Sequence, residues 1–217
     1  MAKKKETEAK EIKQATEKDI TVSLNLKTIS IPIEGISPLI VSNFSKKSER
    51  QIKEAGLAAG LKQGGKKKNI CDPQEDYENS LYYFADGKTC GLPARSFKCA
   101  MVTAGYRAYG KKMTITRSSF HVIADDPATQ LVKINGEHRM REDMVRVGTV
   151  NKVASPRYRA EFPVWSAVIT IKFLADVITE TELVGLLNAA GFTCGVGEWR
   201  PEKSASGSYG MFRVVSN

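Results

Sequence analysis

An α+β fold, an antiparallel sheet with helices packed on one of its faces, is what three features of this 217-residue chain predict. Trp165, Ala167, Ile169, Ile171 and Phe173 recur at every second position, the strongest period-2 pattern in the chain, and mark a strand with one apolar face. Leu183, Leu186, Leu187 and Ala190 recur at helical spacing behind Thr179-x-x-Glu182, the spacing of a capping box. Phe97, Ala100, Met101, Ala104 and Ala108 make a second helical stripe, with Pro93 suited to its entry and Gly110 to its exit. With 41% hydrophobic residues, a chain of this length buries a sizeable core without staples.

Taken in order, residues 1–18 are rich in Lys and Glu and poor in large apolar side chains, which predicts a disordered or frayed helical tail. Residues 19–217 are then expected to form a single domain. Ile20, Val22, Leu24 and Leu26 alternate on one parity and Ile29, Ile31 and Ile33 on the other, a switch that predicts a β-bulge. After Pro38-Leu39-Ile40-Val41 comes a long polar insertion, about 43–80, with a short helix expected over 48–61 and a mobile remainder. Leu81-Tyr82-Tyr83-Phe84 and a turn at Asp86-Gly87 lead to the first helical stripe. Short strands are expected near 113–124, 130–134 and 143–148, before the strand at 165–173. The helix opened by Thr179 is expected to close at Gly191, with Phe192 starting a terminal hairpin that ends in the apolar Met211–Val215 strand. Reduced to its backbone this is a βαββαβ plan, the split βαβ or ferredoxin-like arrangement. That arrangement underlies many functions and does not choose among them.

Composition narrows the choice. Lys and Arg number 33 against 24 Asp and Glu, a formal net charge of +9, which favours a polyanionic partner. Cys71, Cys90, Cys99 and Cys194 show no paired spacing, and His121 and His138 are the only histidines, so no structural zinc site is expected and the thiols read as reduced, in a cytoplasm. No apolar run approaches membrane-spanning length and no export h-region opens the chain, so no membrane partner is expected. No phosphate-loop or dinucleotide fingerprint occurs, and Gly195-x-Gly197 follows a helix rather than a strand. Asp125-Asp126 precedes Pro127 and reads as a turn; Glu142-Asp143 sits among arginines and is expected to form ion pairs. Cofactor, metal and catalytic residues are accordingly all read as none.

Basic residues carry the remaining signal. Arg139, Arg141, Arg146, Lys152, Arg157 and Arg159, with Tyr158 interleaved, form a segment where arginine outnumbers lysine. Guanidinium groups grip phosphate bidentately and stack on bases, so this segment is expected to line a binding groove. Lys46, Lys47, Arg50, Lys66, Lys67 and Lys68 in the insertion suit looser electrostatic attraction. The stretch Gly195 to Gly210 sets Trp199, Arg200, Lys203 and Tyr209 among glycines, a composition that supplies phosphate contacts and stacking faces. Trp199 is read either as a base-stacking ring or, with slight preference, as the anchor of the hairpin, and Trp165 as core.

Three segments together resemble the RAMP superfamily of CRISPR effector backbone subunits. They are Ile36-Ser37-Pro38-Leu39-Ile40, Gly91-Leu92-Pro93-Ala94-Arg95-Ser96-Phe97-Lys98-Cys99-Ala100, and the glycine-rich Gly195-Val196-Gly197 to Gly207-Ser208-Tyr209-Gly210-Met211-Phe212. The chain also resembles small proteins of tailed phages and prophages, which would place it in a bacterial host cytoplasm. The resemblance implies an RRM-like core, a single strand lying across it near Arg95, Lys98, Arg200 and Lys203, and head-to-tail assembly of copies into a filament. The sequence departs from the family where Leu92-Pro93-Ala94-Arg95-Ser96 replaces the usual Ile-Pro-Gly-Ser, and where the insertion lacks an obvious catalytic aspartate; this points away from RNA cleavage and leaves binding. The expected function is therefore non-catalytic binding of single-stranded RNA or DNA by a homo-oligomer. The alternatives are a protein–protein adaptor or phage assembly protein, and a metal-dependent nuclease.

Overall fold

The structure, a computed structural model, describes residues 24–43, 72–147 and 153–215. The tail, Ile20 and Val22, the helix expected over 48–61, Lys152 and the six basic residues singled out in the insertion lie outside the described residues. In chain order the elements are β1 (Leu26–Gly35), β2 (Leu39–Val41), α1 (Pro73–Ser80), β3 (Tyr82–Tyr83), β4 (Cys90–Pro93), α2 (Ala94–Tyr109), α3 (Met113–Ser119), β5 (Phe120–Ile123), β6 (Leu131–Lys133), β7 (Arg139–Val147), β8 (Val153–Phe162), β9 (Ser166–Leu174), α4 (Glu180–Thr193) and β10 (Phe212–Val214).

The sequence-derived plan is found in β1, α2, β5, β9, α4 and β10. Their strands form one antiparallel sheet in the order β10-β1-β9-β5, which is the fourth, first, third and second strand of a βαββαβ unit, the ferredoxin-like order. One face of this sheet, with Ile31, Ile33, Ala167, Ile169, Ile171, Phe173, Phe120 and Phe212, is buried in a single core with Phe97, Ala100, Met101 and Ala104 of α2 and Leu183, Leu186, Leu187 and Ala190 of α4. Gly110 ends α2 in the left-handed conformation at φ +63°, and the capping box at Thr179 and Glu182 is complete. Trp165 is 2% exposed and donates its Nε1 hydrogen to the Ser37 carbonyl at 2.9 Å.

Two smaller three-stranded sheets, β2-β8-β7 and β3-β4-β6, are built onto this unit. In the first, β7 and β8 form a long antiparallel ribbon running from Arg139↔Glu161 to Val147↔Val153, while β2 covers β8 only at Ala160–Phe162. Among the described residues, the part of β8 that holds Pro156 pairs only with β7, so its missing N–H breaks no ladder bond on the other side.

Several local expectations are corrected. No bulge interrupts β1: its register with β9 is unbroken from Leu26↔Leu174 to Glu34↔Ser166, and Leu24 and Leu26 are simply exposed. The end of the insertion is ordered as α1, opened by Pro73 and capped by Asp72, whose carboxylate accepts from Gln74 and Glu75 N–H. Ser80 ends α1 buried, accepting from the Ala160 N–H at 2.8 Å. Residues 113–119 are helical despite their β-branched composition, because Thr116 and Ser119 bury their side chains and donate to the Lys112 and Thr116 carbonyls. Strand β8 fills a segment for which no strand was expected. Finally, α4 does not stop at Gly191 but runs to Thr193; Gly191 is needed because a Cβ there would collide with the Phe212 carbonyl. Phe192 is accordingly an exposed helical residue, and β10 pairs with β1 rather than with a strand begun at Phe192.

Candidate nucleic-acid interface

The three segments quoted above for their family resemblance converge in space. The turn after β1 and the following β2 hold the glycine-rich loop by hydrogen bonds to its backbone amides: Gly210 N–H to Pro38 O at 2.8 Å, Glu198 N–H to Ile40 O at 2.9 Å, and Met211 N–H to the Ser37 hydroxyl Oγ at 3.0 Å. Gly210 takes φ +63°, and a Cβ on it would collide with the Val196 carbonyl, so the loop closes on itself at a point only glycine can occupy. Against this loop stands the start of α2.

Between them lies a cleft of about 290 Å³, lined among others by Tyr82, Arg95, Ser96, Cys99, Arg200 and Lys203. Helix α2 begins there at Pro93 with no side-chain cap and no acidic residue in its first turn. The Ala94 N–H is taken by the Gln130 carbonyl at 3.0 Å, but the following first-turn amides have no side-chain cap, and with the positive end of the helix dipole they make this a favourable place for an anion. Arg95 and Lys203 are exposed and form no ion pair with any described residue. Arg200 is instead fixed within the loop, donating to Glu202 at 2.8 and 2.9 Å and to the Gly197 carbonyl at 3.0 Å. Glu202 in turn accepts from Thr103 Oγ1 on α2 at 3.2 Å, which joins the loop to the helix.

The arginine segment lies alongside. In the β7–β8 register, Arg141 stands opposite Arg159 and Asp143 opposite Arg157, so Arg139, Arg141, Arg157 and Arg159 share one face of the ribbon with Asp143 and Glu161. That face meets the glycine-rich loop. Arg141 donates to Tyr209 Oη at 3.1 Å, and its guanidinium carbon lies 4.8 Å from the Tyr209 ring centre and 5.6 Å from that of Trp199. The Arg159 guanidinium carbon lies 5.5 Å from the Trp199 ring centre. Trp199, at φ +51° and close to two guanidiniums of the ribbon, therefore anchors the loop to the ribbon.

Carboxylates occupy much of this arginine face. Glu161, 4% exposed, accepts from Arg139 at 2.8 Å and from Arg141 at 2.7 Å. Burial works to raise its pKa, but the hydrogen bonds and charges of Arg139 and Arg141 outweigh it and hold the group below the usual carboxylate range. Asp143 accepts from Arg141 at 2.9 and 3.1 Å and lies 3.9 Å from Arg159 Nη1. Burial lowers the pKa of Arg159, against the opposing charges of Glu198 and Asp143, and its buried Nη1 has no hydrogen-bond partner among the described residues.

The cleft, the loop and the ribbon thus bring together Arg95, Arg139, Arg141, Arg157, Arg159, Arg200, Lys203 and Tyr209. Tyr158 alternates with these arginines and lies on the other face of the ribbon, opposite Glu142. Lys98 does not line the cleft; its Nζ lies 3.0 Å from His121 Nδ1 on β5. Of Arg146 only the backbone position, opposite Ala154, is described. Sequence reasoning missed Tyr82, Cys99 and the carboxylates Glu161, Glu198 and Glu202 that position the basic groups. Ser96 was present in the quoted motif without a role.

Cys90, Cys99 and Cys194 are free thiols. Among the described residues no three His, Cys, Asp or Glu side chains are grouped to hold a metal ion, and no helix is long and apolar enough to cross a membrane. No protein-family model and no curated protein matches the chain. Solved structures similar to it include the following two. One is Cmr6 from Pyrococcus furiosus, at 12% identity and a TM-score of 0.41 over 89% of this chain and 100% of that one. The other is a chain from the cryo-EM structure of type III-B Cmr-beta bound to cognate target RNA, at 10% identity and a TM-score of 0.46 over 96% of this chain and 66% of that one. At this identity the likeness gives no residue of this chain a role.

Proposed function

We propose that this chain binds a single strand of nucleic acid, RNA or DNA, without cleaving it, in the cleft between the start of α2 and the glycine-rich loop. The observation that carries the reading is the convergence, on one concave surface, of a helix N-terminus without a side-chain cap and of Arg95 and Lys203, which form no ion pair among the described residues. Arg157, half-buried towards the free end of the ribbon, and Arg139, 68% exposed, extend that surface. Arg141 and Arg159 support it by holding Trp199 and Tyr209 in place. The resemblance of the three converging segments to the RAMP superfamily agrees with this reading, and with copies assembling along a strand in a bacterial cytoplasm.

Oligonucleotide binding at several salt concentrations tests it. Affinity should fall steeply with salt, and Arg95→Ala with Lys203→Ala should weaken binding to unrelated sequences alike. The double variant should also flatten the salt slope by about 1.4, two phosphate contacts at roughly 0.7 each. Wild-type affinity and slope in that variant would overturn the cleft assignment.

A second reading, the protein–protein adaptor, draws on Tyr106, Tyr109, Met113 and Ile115, which are 58%, 55%, 39% and 55% exposed around the far end of α2. In that case the cleft variant is silent and Tyr109→Ser with Ile115→Ser abolishes partner binding.

A further inference from the structure

A second basic group lies outside the cleft. Lys98 on α2, Arg117 on the last turn of α3 and His121 on β5 come from three elements packed against one another. Lys98 Nζ lies 3.0 Å from His121 Nδ1, and the nearest partner of Arg117 is the Met113 carbonyl, 3.5 Å from Nε. Neither Lys98 nor Arg117 forms an ion pair with any described residue. Lys172 stands directly opposite His121 in the β5–β9 register. The contrast with the ribbon and the glycine-rich loop is plain, because Arg139, Arg141 and Arg159 of the one and Arg200 of the other all have carboxylate partners.

The local chemistry favours an oxyanion. A lysine that donates to Nδ1 leaves the proton of the neutral ring on Nε2, so His121 remains a donor there. Lys98 keeps two further N–H groups, and Arg117 keeps the terminal nitrogens of its fork. Burial lowers the pKa of the Lys98 ammonium and the charge of Arg117 adds to that effect, so an anion placed among these groups relieves a repulsion as well as gaining hydrogen bonds. Arg95 and Lys98 are one turn apart on α2, about 4.5 Å of helix rise, so the group continues the line of the cleft around the start of the helix.

We infer that Lys98, Arg117 and His121 form a second phosphate-holding point, which leads a bound strand out of the cleft, over the first turn of α2, and onto the β5 edge of the sheet. This path rests on the proposed binding in the cleft; the phosphate site itself does not.

The test has two arms. In the first, the ring signals of His121 are followed by NMR while inorganic phosphate is added, with chloride at matched ionic strength as control and His138, the other histidine, as internal reference. The expected result is a saturable phosphate-specific shift at His121, absent at His138 and lost in Lys98→Gln, Arg117→Gln. No shift, a shift equal to that with chloride, or a shift surviving in the double variant overturns the site. In the second arm, a long oligonucleotide should bind that variant about three- to tenfold more weakly, with a shallower salt slope. A trinucleotide, which fills the cleft alone, should bind it as it binds the wild type. If both lengths bind the variant at wild-type affinity, the strand path is wrong and the cleft reading stands. If the wild type binds neither length, the cleft reading fails and the phosphate titration alone decides the site. Should the double variant not fold, His121→Gln replaces it in the second arm with the same expected loss.

Discussion

Glu161 is a nearly buried carboxylate with two guanidinium partners, and the ribbon's arginines cannot be understood without it. Removing its charge leaves Arg141, 23% exposed, and Arg139, 68% exposed, without their shared acceptor. Breaking a fully buried pair costs about 3–5 kcal/mol, and the exposure of Arg139 brings the expectation for Glu161→Gln down to about 2 kcal/mol, measured by urea unfolding. The pH dependence has a defined sign. Because the folded-state pKa of Glu161 lies below its ordinary value of 4.5, its contribution is fully present above that value and is lost as pH falls through the depressed one. The wild type should therefore lose stability below about pH 4.5 more steeply than Glu161→Gln. At this scale the sequence was partly legible. Arginine density and the ion-pairing of Asp143 could be read directly, since charge is explicit in the residue type. That Arg141 and Arg159 would grip Trp199 could not, because the contact joins positions about forty to sixty residues apart and depends on the register of β7 with β8.

Helix α4 shows what a local signal can specify. Thr179 Oγ1 accepts from Glu182 N–H at 3.2 Å, Glu182 Oε2 accepts from Thr179 N–H at 3.0 Å, and Lys111 Nζ from the end of α2 meets Glu182 Oε1 at 2.6 Å. The hydrogen bond from Lys111 and those from Thr179 hold Glu182 at about 2. Thr179→Ala should cost about 1 kcal/mol of stability while leaving oligonucleotide affinity unchanged, since the helix start is about 20 Å from its cleft end. A loss of affinity at full folding would show that the helix start is coupled to the cleft. Capping boxes and period-2 strands are readable because they involve neighbours in sequence, and both α4 and β9 stand where their patterns placed them. The failures have the opposite cause. In α3 the β-branched residues suggested a strand, but burial of Thr116 beside Gly105 and hydroxyl bonding to the preceding turn decide for helix. In β8 the alternation is carried by charged residues and interrupted by Pro156, so a search for apolar period passed over it.

At the scale of the whole molecule, two separated groups among the exposed apolar side chains bear on assembly. Tyr106, Tyr109, Met113 and Ile115 lie around the end of α2 remote from the cleft, and Met140 and Met144, 46% and 67% exposed, lie on the face of the ribbon turned away from Arg139, Arg141, Arg157 and Arg159. Two different patches on one chain suit a heterologous contact, in which one copy's ribbon meets the next copy's helix end. Unless the rotation closes a ring, such a contact repeats without limit. The basic surface of a net +9 chain would oppose this assembly by self-repulsion, and a polyanionic strand would relieve it. Assembly should therefore depend on the strand. Sedimentation velocity should find the free protein monomeric at moderate salt, and the number of copies bound should rise in steps as the oligonucleotide is lengthened. Met144→Glu should keep binding of one copy to a short oligonucleotide and lose the higher steps on a long one, because it places a charge in the contact without touching the cleft. Single-copy binding at every length in the wild type would leave the ribbon's outer face without a role in assembly, and would favour its use as a docking surface for a different protein.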